Sequence, residues 1–164
     1  TIFLMNKKSQ KTKHNTNEIA KNKKARFNYE ISETYEAGLV LEGWEVKSLR
    51  EKKVNIIDTY IIIQKNEAWL VGANISPLKT TFLHNNSVPM RARKLLLNRR
   101  ELNTLIGLID RKGFTLVPIL MFWKKGKAKL LFGLGKGKKL YDKRADQKER
   151  DWQRDKERMF RKNN

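Results

Sequence analysis

Glu42 and Glu45, three apart in EGWEVKSLR, are the nearest this chain comes to a paired acid and base. Surface carboxylates at such spacing are common, and little around them builds an active site. No Ser/His/Asp arrangement, zinc-spaced His/Cys set or Walker loop is present. Gly133-Leu134-Gly135-Lys136-Gly137-Lys138 has the look of a phosphate cradle without the spacing of one, and reads instead as a flexible hinge. His14 and His84 sit far apart in polar surroundings and read as ordinary surface residues. We therefore expect no catalytic residue, no metal and no cofactor.

Binding chemistry is far better supplied. Lys and Arg interleave with aromatic residues and Asn, the combination that phosphate contacts and base stacking need. Arg91, Arg93, Lys94, Arg99 and Arg100 cluster where the spacing predicts the start of a helix, whose N-terminal partial charge adds to theirs. Asn98, with Glu101 three later, either caps that helix or contacts RNA, and the residues alone leave both open.

The charge balance points the same way. With 37 Lys and Arg against 17 Asp and Glu, the net charge is +20. Residues 1–29 contribute +7, residues 30–135 +7 and residues 136–164 +6, so the folded part has a basic surface of its own. Nucleic acid is the partner such a balance implies first, anionic membrane second. Ile61–Ile63 and Leu116–Trp123 are strand-sized, and no apolar run is long enough to span a bilayer. The absence of cysteine excludes disulfides and thiolate metal sites and fits a reducing, cytoplasmic setting. Thr1-Ile2-Phe3-Leu4 is too short for a signal sequence, and Met5 is the expected natural start.

The elements that must position these residues fall into three parts. Residues 1–22 lack apolar periodicity and read as a flexible basic arm; residues 23–135 read as the folded domain; residues 136–164 read as a tail. Within the domain, Tyr29–Leu41 suggests a strand, with Ala37-Gly38 as a bulge or corner, and Gly43–Arg50 a short helix or strand end. Ile56–Gln64 and Ala68–Ala73 flank Lys65-Asn66-Glu67 as a hairpin. Asn74–Arg91 reads as a long loop, and Leu95–Ile109 as a helix stopped by Gly113. Phe114–Trp123 and Lys129–Gly133 complete the set around a basic turn. Parallel β-α-β alternation is absent, so the expected fold is mainly β with peripheral helices, an OB-fold-like antiparallel barrel. The tail has Leu140, Tyr141, Ala145, Trp152, Met159 and Phe160 as its only apolar residues, too few to offset the entropy of ordering. It lacks Pro and any Gly after Gly137, and has i,i+4 pairs such as Asp146–Arg150 and Glu157–Arg161. We expect it to be disordered alone and helical when bound. On a helical net Lys143, Gln147, Arg150, Arg154, Arg158 and Arg161 share one side.

Six stretches in order, NKKARFNY, YEAGLVLEGWEVKSLR, LVGANISP, RKLLLNRREL, GKGKKLYDKR and KERDWQRDKER, closely resemble the SsrA-binding protein (small protein B) family of bacterial trans-translation. The resemblance runs from about Asn22 to Arg161. It implies a non-catalytic, cofactor-free barrel that binds the tRNA-like domain of transfer-messenger RNA and delivers it to stalled ribosomes. It also implies a monomer with no membrane partner, whose tail enters the empty mRNA channel near the decoding centre of the small-subunit rRNA. Carried over to this chain, Glu36, Leu96 and Asn98 would hold the RNA elbow, with Lys23, Lys24, Arg26 and Arg50 on its phosphates. The ribosome-facing set in the tail would be Lys138, Lys139, Tyr141, Asp142, Lys143, Arg144, Arg150, Trp152, Arg154 and Arg158. Many members carry His at the position of Tyr141; a Tyr keeps a stacking role but not one needing an imidazolium. Two other readings predict different behaviour. A general RNA binder would not discriminate among structured RNAs, and an RNA-acting enzyme would need Glu42, Glu45 or Asp142.

Overall fold

Strands dominate because β-branched and apolar residues recur at period two between tight, polar turns. The computed structural model describes residues 17–80 and 87–162. His14, His84 and Thr1–Leu4 lie outside the described residues. The order is β1 (Glu18–Lys21), α1 (Ala25–Asn28), β2 (Tyr29–Leu39), α2 (Gly43–Arg50), β3 (Val54–Asn55), β4 (Tyr60–Gln64), β5 (Glu67–Val71) and β6 (Asn74–Ile75). Then come β7 (Arg93–Leu96), α3 (Arg99–Lys112), β8 (Thr115–Lys124), β9 (Lys127–Gly137) and α4 (Leu140–Lys162).

Seven strands form one antiparallel sheet in the order β1-β8-β4-β5-β7-β2-β9, and a further β8–β9 pairing closes it into a barrel. The closed ring runs from β8 to β9 and leaves short β1 as an edge strand on β8. Two tight turns carry the hairpins. Lys65 and Asn66 join β4 to β5 with φ of 51° and 58°, and Lys125 and Gly126 join β8 to β9 with φ of 50° and 72°. Pro118 sits inside β8 without cost to the ladder, because the β8–β9 register shifts between Pro118 and Leu120. The interior is filled by Leu49, Leu70, Leu105, Met121, Leu130 and Phe132, all fully buried. Truncating any of the leucines would cost about 2–5 kcal/mol.

Four sequence expectations need correction. The folded body starts at Glu18 and not at residue 23, because Glu18–Lys21 pair with Leu120–Phe122 of β8. The helix begins at Arg99, not at Leu95. Arg93–Leu96 form β7, where Leu95 is buried and Leu96 exposed, and Ala68–Leu70 pair with them. The glycines after Phe132 are no hinge. Gly133, Gly135 and Gly137 lie in β9, and a Cβ on Gly133 would stand 2.5 Å from Ile31 Cγ2. The β2 bulge falls between Ile31 and Glu33 and not at Ala37-Gly38.

Candidate RNA-binding surface

The β2–β7 ladder sets the first group of residues. Gly38 pairs with Leu96, and the missing side chain at Gly38 leaves room for Leu96, whose Cβ would lie 3.4 Å from an added Cβ. Leu96 is 54% exposed, an apolar side chain standing on the outer face of the barrel. Glu36 shares that face two residues along β2, where Lys124 Nζ donates to both its carboxylate oxygens at 3.0 Å. The structure thus puts Glu36 and Leu96 on one outer face, with Asn98 two residues beyond Leu96 in the chain.

Asn98 holds the N-cap position of α3, with its carbonyl accepting the Leu102 N–H at 2.9 Å. Its side chain makes no capping hydrogen bond, so the amide is exposed and available to a ligand. Arg99 and Arg100 follow as exposed residues of the first turn. Lys94, one of the expected surface cations, faces Trp69 across β7 and β5 beside this patch, and the type of Trp69 alone did not single it out.

A buried charge cluster fixes β7 against α2. Arg93, expected among the surface cations, is fully buried, and its Nε donates to Glu45 Oε1 at 2.8 Å. Its other nitrogens donate to the carbonyls of Ala73 at 2.8 Å and Pro89 at 3.0 Å. Arg91 donates to Glu45 Oε2 at 2.6 Å, and the Glu42 backbone N–H to the same oxygen at 2.8 Å. Burial pushes the Glu45 carboxyl up. The hydrogen bonds from Arg91 and the Glu42 backbone, with the charge of Arg93, outweigh it and hold the group below its ordinary value. Burial likewise pulls Arg93 below the usual arginine range, partly offset by Glu45. Glu45 is therefore a structural anion, saturated by donors and closed to water, not half of an acid/base pair. Only the period of β7, which puts Arg93 in phase with buried Leu95, hinted at this in the sequence.

The second basic group lies elsewhere. Lys23, Lys24 and Arg26 are exposed around α1, next to the start of β2. From there to Glu36 the strand runs seven residues, roughly 23 Å at the usual rise. Arg50 is exposed at the end of α2. Lys23, Lys24 and Arg26 therefore lie the length of several nucleotides from Glu36 along β2.

Within the tail, Leu140–Lys162 form one long helix. Of the expected ribosome-facing residues all but Lys138, whose side chain is largely covered, stand exposed or partly exposed, with Trp152 63% exposed and Lys156 over its ring at 5.2 Å. Contacts with the body are few. The Lys138 N–H donates to the Asn28 carbonyl at 2.8 Å, and Arg150 lies over the Phe27 ring at 5.4 Å. Lys138 also pairs with Asp146, bracing the helix against its own root. Among the described residues, no helix is long and apolar enough to cross a membrane, and no group of His, Cys, Asp or Glu could hold a metal ion.

Comparison with known proteins fits this geometry. The family model described as SmpB protein matches residues 19–162. An SsrA-binding protein of Alkalilimnicola ehrlichii is 55% identical over 152 residues, covering 93% of this chain and 95% of its own. Another, from Ruthia magnifica subsp. Calyptogena magnifica, is 54% identical over 160 residues, covering 98% and 97%. Among solved structures, a chain described under "tmRNA-SmpB: a journey to the center of the bacterial ribosome" superposes with a TM-score of 0.61. It is 43% identical, and the match covers 74% of this chain and 85% of that one.

Proposed function

The chain belongs to the SmpB family, and from that premise we propose that it binds the tRNA-like domain of transfer-messenger RNA and delivers it to stalled ribosomes. The observation that carries this reading is the outer patch of the β2–β7 ladder. It offers an exposed leucine, an asparagine whose amide makes no capping bond, and a carboxylate engaged, among the described residues, only by Lys124. Leu96 offers an apolar platform to an unstacked base, and Asn98 and Glu36 offer hydrogen bonds to base edges and 2′-hydroxyls. Lys23, Lys24, Arg26 and Arg50 reach the phosphates on either side.

The protein acts as an adaptor in the cytoplasm and catalyses nothing. Its tail meets a second RNA surface, the small-subunit rRNA lining the empty mRNA channel. With so few contacts to the body, α4 gains little from packing, so it melts when free and refolds against rRNA. Tyr141 and Trp152 stack there, while Lys138, Lys139, Lys143, Arg144, Arg150, Arg154 and Arg158 neutralise phosphate; Asp142 belongs to the same ribosome-facing set. Removing residues after Gly137 tests the division of labour. Binding of the tRNA-like fragment should be kept while rescue of stalled ribosomes is lost. Loss of both would make the tail part of the primary RNA site.

A further inference from the structure

We propose that the cleft between α1, β4 and β8 is a receptor for one unpaired nucleotide, with Tyr60 stacking on the base, Asp58 reading its edge and Lys24 at its phosphate. The cleft encloses about 170 Å³. A single aromatic ring fills an engineered cavity of about 150 Å³, so one base fits and a base pair does not.

Its walls have the make-up of a base pocket. Buried Leu116 and Val117 form the floor, and Tyr60, 52% exposed, stands at the mouth. The framework is internally satisfied. Asn22 donates to the Pro118 carbonyl at 3.0 Å and accepts from the Lys24 N–H at 3.1 Å, and Thr59 Oγ1 donates to the Ile56 carbonyl at 2.6 Å. The side chains of Asn28, Tyr60 and Thr115, by contrast, make no hydrogen bond to any described residue, although all three line one small cleft. Asp58 is held with φ of 59°, a left-handed backbone that places it at the rim ahead of β4.

The Lys24–Asp58 ion pair spans the rim at 3.6 Å, with the side chains 57% and 78% exposed. A pair that open is worth little and separates readily. Lys24 is then free for a phosphate. The Asp58 carboxylate, with two acceptor oxygens, best matches an edge presenting two adjacent donors, which among the four bases is the Watson–Crick edge of guanine. The source of the nucleotide is either an unpaired residue of the RNA partner, on the reading proposed above, or a free guanine nucleotide.

Amide NMR of the full chain, titrated with GMP, AMP, CMP, UMP and ribose 5-phosphate, tests the site. GMP should move the amides of Asn28, Asp58, Thr59 and Thr115 at the lowest concentration. Tyr60→Leu should weaken GMP by about fivefold or more, the loss of one stacked base. Asp58→Asn, which suits the same left-handed backbone, should abolish the preference for GMP. Equal shifts from ribose 5-phosphate, shifts confined to residues outside the cleft, or unchanged GMP affinity in Tyr60→Leu would overturn the proposal. Repeating Tyr60→Leu against the tRNA-like RNA fragment separates the two sources: a comparable loss assigns the nucleotide to the RNA, an unchanged affinity to the free pool. If the unaltered chain fails to prefer that fragment over a control RNA, the adaptor reading falls while the GMP result stands by itself.

Discussion

Glu45 and Arg93 meet at 2.8 Å with neither side chain exposed, tying α2 to the strand that carries Leu96. Breaking such a pair strands a charge in a dry site, whereas replacing both partners with apolar groups removes the desolvation cost as well.

Glu45→Gln should therefore lower the unfolding free energy by about 3–5 kcal/mol in urea. Combining Glu45→Leu with Arg93→Met should recover most of that loss. If Glu45→Gln unfolds within about 0.5 kcal/mol of the parent, the cluster is not holding the fold.

The same carboxylate sets an acid dependence. Its folded-state pKa lies below its unfolded value. The stability it contributes is complete above the unfolded value, about 4.3, and disappears as pH falls through the folded one. Urea midpoints should fall below about pH 5, and the Glu45→Gln variant should show a shallower decline over the same range. Parallel declines in the two proteins would assign acid sensitivity to other groups.

Asn98→Ala separates capping from recognition. Because the side chain makes no capping bond, thermal stability should stay within about 0.5 kcal/mol of the parent. RNA affinity should fall about three- to tenfold, the range of a lost hydrogen bond. A fall in stability with unchanged affinity of the folded fraction would return Asn98 to a purely structural role.

Gly133 and Gly137 should answer differently to the same change. A Cβ at Gly133 meets Ile31 Cγ2 at 2.5 Å and Ile119 Cδ1 at 3.1 Å, whereas one at Gly137 meets nothing within 4 Å. Gly133→Ala should cost about 1–3 kcal/mol through overpacking, partly relieved by Ile31→Val. Gly137→Ala should leave calorimetric stability nearly unchanged. Equal effects would restore the hinge reading of this segment.

Much of the barrel was legible because its hairpins carry strong local signals. Lys65-Asn66 and Lys125-Gly126 sit between apolar runs of strand length, and the structure turns there. The run Leu95-Leu96-Leu97 was misread because three consecutive leucines continue a helical period as readily as they end a strand. Pairing with Ala68–Leu70, more than twenty residues away, decided it. Arg93 was misplaced on the surface for a related reason: a charge is buried only when a partner exists, and Glu45 lies 48 residues earlier. Glu36 and Leu96 were named through the family resemblance alone, whereas the spacing of Asn98 and Glu101 had also marked Asn98 as a cap or an RNA contact. Composition located a basic RNA binder, but not the face that Glu36 and Leu96 share.

The measurement closest to the central claim is affinity of the full chain for a tRNA-like transfer-messenger RNA fragment against a structured control of equal length, across a salt series. Phosphate contacts alone lose affinity steeply, by roughly 0.7–0.9 in log–log slope for each neutralised phosphate. The account predicts a preference for the fragment that persists at high salt, where the Leu96 and Asn98 contacts remain. Equal binding of both RNAs, collapsing together as salt rises, would contradict it.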